Sequence, residues 1–261
     1  MPEPPPRFDP ASVRELWDFA ADAYAEGQAS GNDYYRYAFF GPAQVQLCGE
    51  VAGVRALDVG CGNGYFAREM ARRGAMVTAI DISPRMIEHA RRIEAAEPLG
   101  IDYEVLNAAE LAARFPASAF DVVTSCVSIP DMPDVPAVLR GIHTVLRPGG
   151  RLVASITHPC TDTPVRAWET DDAGAKLALK IDRYFDHGPI EFTWKRNWPY
   201  VFKTAYWHVP LETWFDWILG AGFVLRGLRE PCPTEEGVAA HPDLADAARV
   251  PYFLIFDLFR P

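Results

Sequence analysis

Short apolar runs and amphipathic stretches alternate through the middle of the chain. The runs at 55–59, 76–81, 102–106, 120–127 and 151–157 are strand candidates. Three of them are rich in Val, Ile, Leu and Ala on both alternating positions, as strands covered on two faces should be. Between them, 64–73, 84–97 and 134–146 read as helices. Repeated strand–helix–strand units imply right-handed crossovers and a parallel sheet wound on both faces. Pro148, Gly149 and Gly150 stop the third helix and turn the chain into the strand at Arg151. Upstream, Val13, Leu16, Trp17, Phe19, Ala20 and Tyr24 predict an amphipathic helix over 11–27 behind a Pro-rich leader at 1–10. A tyrosine-rich stretch, Tyr34-Tyr35-Arg36-Tyr37, and a second helical segment ending at Cys48 follow. The alternation stops between 158 and 210. A helix over 211–219 then ends at Gly220-Ala221-Gly222, and two strands follow at 223–230 and 252–259.

Composition narrows the possible partners. Among 261 residues, 35 acids face 25 Lys and Arg, a net charge of −10. That balance argues against a nucleic-acid partner, because phosphate backbones are gripped by basic surfaces. Cys48, Cys61, Cys126, Cys160 and Cys232 are scattered, with neither a Cys-x-x-Cys pair nor metal-ligand spacing, which suits a reducing compartment. The opening MPEPPPRFDP lacks the apolar core of a signal peptide. No apolar run reaches the roughly 18 residues of a membrane span. The expectation is a cytoplasmic protein with no membrane partner and an undetermined oligomeric state. Asp171-Asp172 could ligate a divalent ion but has no third ligand at suitable spacing, so no metal is expected.

The densest motif is Leu57-Asp58-Val59-Gly60-Cys61-Gly62-Asn63-Gly64-Tyr65. An apolar strand runs into three glycines at alternate positions and then directly into a helix. Such glycines let a ligand approach main-chain N–H groups near a helix N-terminus. The next strand ends at Asp81, from which an acid can chelate ribose hydroxyls. Together these residues resemble the class I S-adenosylmethionine-dependent methyltransferases of small-molecule type. The likeness extends over about 50–158, through Asp81-Ile82-Ser83-Pro84-Arg85-Met86, Asn107-Ala108-Ala109-Glu110, Phe120-Asp121-Val122-Val123 and Leu146-Arg147-Pro148-Gly149-Gly150.

That resemblance implies a Rossmann-like methyltransferase fold, a doubly wound α/β sheet of seven strands with the last antiparallel. Residues 1–50 would form a leader and helical lid, 51–261 the catalytic domain, and 159–210 a cap over the substrate. Gly60, Gly62 and Gly64 would hold the methionine end of S-adenosylmethionine, and Asp81 its ribose. Ile82, Met86, Asn107, Ala108 and Ala109 would border the adenine, although Met86 also fits a plain core position. Asn107 departs from the family's usual Asp. Asp58, Cys61, Cys126 and Tyr35 complete the expected donor shell, with Cys61 read as a packing residue rather than a nucleophile. The implied reaction moves a methyl group to O, N or C of a small acceptor, in secondary metabolism for example. A nicotinamide-dependent oxidoreductase and a non-catalytic donor-binding module are the competing readings.

The acceptor side is less legible. Twelve aromatics lie between Tyr184 and Trp217, five of them tryptophans, which suggests a pocket for a flat apolar or aromatic molecule. Arg166, Lys195 and Arg196 could offer a counter-charge to a carboxylate, or simply be surface. His158 closes the fifth strand and is the candidate base, although local backbone groups could equally satisfy it. His208 is a candidate substrate contact.

Overall fold

The computed structural model describes residues 6–195 and 198–261. The start of the leader and Arg196 lie outside the described residues. Helix α1 (Pro10–Ala29) begins where Asp9 accepts the N–H groups of Ala11 and Ser12. A π-helical turn at Arg36–Phe40 leads into α2 (Gly41–Cys48). Then β1 (Arg55–Val59), α3 (Tyr65–Arg72), β2 (Met76–Asp81), α4 (Pro84–Ala96), β3 (Asp102–Val105), α5 (Leu111–Arg114), β4 (Phe120–Cys126), α6 (Val135–Val145) and β5 (Leu146–Thr157) alternate as the pattern predicts. Two antiparallel hairpins follow, β6 (Val165–Thr170) with β7 (Lys176–Asp182), and β8 (Gly188–Trp194) with β9 (Phe202–His208). The chain closes with α7 (Leu211–Gly220), β10 (Val224–Arg229), α8 (Glu235–Ala240) and β11 (Phe253–Phe259).

The main sheet has seven strands in the order β3-β2-β1-β4-β5-β11-β10, with β11 antiparallel to both neighbours. This is the expected doubly wound α/β arrangement. On one face Leu139, Ile142, Trp214 and Ile218 from α6 and α7 are buried against it. On the other face Phe66, Met70 and Ile87 from α3 and α4 are buried. Inside that second layer, Gln44 of α2 donates to Ser125 O at 2.9 Å and Val153 O at 3.1 Å, and accepts from Ser155 Oγ at 2.7 Å. One buried amide thus ties α2 across β4 and β5.

Two expectations need correction. The 159–210 segment, expected to lack periodicity, forms the two hairpins. Strands β6 and β7 are largely exposed on both faces and β8 buries no residue fully, so no alternation of apolar and polar positions marks them. The Pro148-Gly149-Gly150 turn lies inside β5 rather than before it. Leu146 already pairs with Phe120, and the next partners are Val122 and Arg151, so residues 147–150 bulge outward.

Helix α1 packs on α4 and β9. Asp18 accepts from Ser83 Oγ at 2.5 Å, Asp22 takes Arg85 and His89, and Tyr24 stacks on Trp198 with ring centroids 5.4 Å apart. Among the described residues no helix is long and apolar enough to cross a membrane.

Candidate active site

At the centre of the sheet, β1 and β4 are neighbours whose following helices lie on opposite faces. A crevice opens beyond the carboxyl ends of such strands. Here a cavity of about 560 Å³ occupies it, bordered by the β1–α3 loop, the segment from α1 to the π-helical turn, and the hairpins.

One half of this cavity is built from strand ends. Gly60, Gly62 and Gly64 all have positive φ, and Gly60 and Cys61 donate their N–H groups to Ile80 O at 2.9 Å each. A side chain at Gly62 would project into open space, with Tyr24 Cε1 the nearest atom at 3.9 Å. Asp81 accepts the N–H of Gly62 at 2.8 Å and of Ser83 at 2.9 Å. Burial nevertheless pushes its carboxyl up to about 6, those two hydrogen bonds opposing. Asp58, 2% exposed, receives Thr124 Oγ1 at 2.8 Å on Oδ1. Burial raises it to about 7, the Thr124 bond and Arg36 pulling the other way. Its Oδ2 is buried without a hydrogen-bond partner among the described residues. An unmet carboxylate oxygen, an open cradle at Gly62 and an acid closing β2 fit a ligand that brings an ammonium group and a ribose diol.

Ile82, Met86, Asn107 and Ala108 line the cavity, as do Cys126 and Tyr35. Two expected donor contacts do not. Gly64 is where the chain passes so close to Tyr103 that any side chain would strike the phenol. The Ala109 N–H is instead taken by Asn107 Oδ1 at 3.1 Å, capping the turn at Ala108–Glu110. Cys61 and Cys126 are neutral thiols, the first pushed well above its ordinary value and the second to about 11, both chiefly by burial.

The segment from α1 to the π-helical turn borders this half. Arg36, the first residue of that turn, lines the cavity. Its Nε meets Asp33 at 2.8 Å, its Nη2 donates to Tyr24 OH at 2.7 Å, and its Nη1 donates to Cys126 O at 3.2 Å. This network fastens the N-terminal segment to the end of β4. Its one sequence signal was an arginine set among tyrosines.

His158 and His208, the candidate catalytic residues, do not line this cavity. His158 Nδ1 accepts the Cys160 N–H at 3.2 Å, which leaves Nε2–H to donate to Glu230 at 2.9 Å. Its only lone pair is therefore engaged, and burial lowers its proton affinity, with Glu230 opposing. His208 sets its two ring nitrogens 3.0 Å from Asp162 O and 3.1 Å from Tyr184 O. Both imidazoles tie loops together, a correction to the expected base and substrate contact.

The other half of the cavity is walled by Trp17, Phe192, Trp194, Trp198, Tyr206 and Tyr252. The aromatic-rich segment thus divides. Trp207, Trp214 and Trp217 pack against the sheet core instead, with Trp207 Nε1 donating to Pro133 O at 3.1 Å. Asp131 and Asp162, which sequence reasoning missed, face this half along with exposed Arg166 and Lys195. No group of three His, Cys, Asp or Glu side chains is placed to hold a metal among the described residues. Asp171, considered for that role, accepts the N–H groups of Ala173 and Ala175 in the β6–β7 turn.

Comparison with known proteins agrees with this geometry. Residues 57–154 match the family model of a methyltransferase domain. A ubiquinone biosynthesis O-methyltransferase from Xanthomonas euvesicatoria pv. vesicatoria is 43% identical over 106 residues, 41% of this chain and 44% of that protein. The chain thus spans less than half the length of the curated relatives it matches. A solved S-adenosylmethionine-dependent methyltransferase from Mesorhizobium loti is 30% identical, with 84% of this chain and 96% of that one covered and a TM-score of 0.71. The [4+2]-cyclase SpnF shares the fold at 18% identity, with a TM-score of 0.63 over 99% of this chain and 98% of that one. The chain belongs to the S-adenosylmethionine-dependent methyltransferase family.

Proposed function

We propose that this protein transfers a methyl group from S-adenosylmethionine to an O, N or C atom of a small aromatic or apolar molecule. One observation carries the reading. A single cavity joins the glycine loop, Asp58 and Asp81 to a wall of tryptophans and tyrosines. The donor, when bound, supplies an electrophilic methyl on a sulfonium centre. The chain's part is to bind, orient and keep water out. Asp81 would take the ribose hydroxyls, Asp58 Oδ2 the ammonium group, and Ile82, Met86 and Ala108 the adenine faces. The Arg36 network closes the lid over them. In-line transfer asks for the acceptor at roughly 3–3.5 Å from the methyl carbon in a dry pocket, and the aromatic wall provides that exclusion. The Xanthomonas relatives are named O-methyltransferases, which supports oxygen as one acceptor atom without choosing it over nitrogen.

Calorimetric titration with S-adenosylhomocysteine and with NAD tests the donor assignment. The first should bind in the micromolar range and raise the melting temperature, and the second should do neither. Binding of NAD alone would overturn the assignment. Methyl transfer to a metabolite panel, followed by mass spectrometry, then separates an enzyme from a donor-binding module or a cyclase.

A further inference from the structure

Two carboxyl groups, Asp131 and Asp162, stand in the aromatic half of the cavity, and among the described residues no buried cation pairs with them there. Asp131 ends the short turn at Ile129–Asp131 after β4, and β9 packs on that turn. Asp162 lies between β5 and β6, where Tyr206 OH donates to its Oδ1 at 3.2 Å. Its main chain is clamped on both sides, its N–H donating to His158 O at 2.9 Å and its C=O facing His208 Nδ1 at 3.0 Å. The His208 ring and the His158 main chain thereby hold the backbone of this aspartate. Asp131 is near enough to Asp162 for that charge to raise the cost of its own ionisation. Burial is the main reason the Asp131 carboxyl sits well above the ordinary carboxylate range, with Trp17 opposing and Asp81 and Asp162 adding.

The basic residues of this cavity do not neutralise the pair from within. Arg36 is engaged by Asp33 at 2.8 Å. Arg166 and Lys195 are exposed, and the Arg166 guanidinium lies over the Tyr252 ring at 4.3 Å. Acidic groups beside tryptophan and tyrosine faces make a site for a nitrogen cation, since both carboxylates and ring faces attract it. The same charges repel a carboxylate, which reverses the counter-charge role considered for Arg166 and Lys195.

Resting on the methyltransferase reading, we propose that the acceptor is a small arylalkyl amine, its nitrogen held by Asp131 and Asp162 and its ring against Trp194 and Tyr206. Asp162 is then the proton acceptor. The bond formed is N–CH₃, the bond broken is S–CH₃, and that bond's electron pair stays on sulfur. The proton displaced from nitrogen passes to Asp162, so charge and atoms balance. The amine enters as a cation, loses one proton to the acidic pair, and attacks as the free base.

The test uses two near-isosteric pairs, tryptamine with indole-3-propionate and tyramine with 3-(4-hydroxyphenyl)propionate, titrated by ligand-observed NMR into full-length protein saturated with S-adenosylhomocysteine. Both amines should bind at least about tenfold tighter than their acids. In the Asp131→Asn/Asp162→Asn variant that preference should shrink at least about tenfold, while S-adenosylhomocysteine affinity stays within about threefold of wild type. Asp162→Glu should restore part of the amine preference. Equal or reversed preference, amines failing to bind by about 10 mM, or a preference that survives the double substitution would each overturn the proposal. Failure of S-adenosylhomocysteine itself to bind wild-type protein would strike the methyltransferase reading instead, so the two failures are told apart.

Discussion

The two halves of the cavity are held by different means. The donor half hangs on the register of parallel strands. Leu57 and Asp58 are buried and paired on both sides, Val59 is buried and paired with β2, and the loop that follows is fixed by its own N–H groups on Ile80 and Asp81. The acceptor half hangs on side chains. The β8–β9 ribbon and α1 meet through rings such as Tyr24 with Trp198 and with Trp194, and its acids sit on short turns. Backbone register permits little variation, because one slipped residue reverses every side chain. Ring packing on an exposed ribbon can be rebuilt without disturbing the sheet. A shared donor chemistry and a changeable acceptor follow from that difference.

The largest expected effect would sharpen this contrast by showing that the donor half carries stored electrostatic cost. Asp58 titrates near 7 when folded, against 3.8 for the ordinary carboxyl. A folded value above the unfolded one means its favourable contribution is complete below about pH 3.8 and is lost as pH rises through about 7. The difference is worth about 4 kcal/mol at about 1.4 kcal/mol per tenfold change in proton affinity. Urea unfolding of ligand-free wild type and Asp58→Asn at pH 4 and pH 8 should show wild type losing roughly that much relative to the variant. Parallel pH curves would remove Asp58 as a buried, unmet acid.

Next in size is Gly62→Val. The valine side chain would stand in the open space the donor needs, so S-adenosylhomocysteine affinity should fall roughly 100-fold or more. Circular dichroism should still report the native fold. Unchanged affinity would mean that the glycine loop does not touch the donor, and the division into halves would fail. If Asp81 takes the ribose hydroxyls as proposed, Asp81→Ala should weaken the same binding by about 1.5–3 kcal/mol, read by calorimetry. For wild type, affinity should also improve as pH rises through about 6, where Asp81 ionises.

The smallest effect belongs to His158. Because Nδ1 and Nε2 are both engaged, His158→Gln should leave donor affinity and the pH profile of single turnover within about threefold of wild type. The 10²–10⁴-fold loss typical of a general base would reinstate His158 in the chemistry and break the assignment of both histidines to loop positioning.

The alternation of strands and helices and the glycine loop between Asp58 and Asp81 were legible in the chain itself. Each is a local signal, a run of apolar residues or a turn that needs glycine, and local signals survive without tertiary context. The hairpins were not legible. Strands β6, β7 and β8 bury too little of either face to impose a period of two. Nor were Asp131, Asp162 and Arg36, because an isolated charged residue carries no pattern until folding brings its partners. His158 and His208 show the converse error. A histidine at a strand end beside the cleft has the chemistry of a base, yet only the folded chain decides whether its lone pair meets a substrate or the N–H of Cys160. The sequence by itself therefore determined the α/β frame and the donor loop, through hydrophobic periodicity and backbone freedom. The tertiary structure alone decided which side chains face the acceptor, because contacts between residues far apart in the chain, such as Tyr24 with Trp198 and Asp162 with Tyr206, exist only after folding.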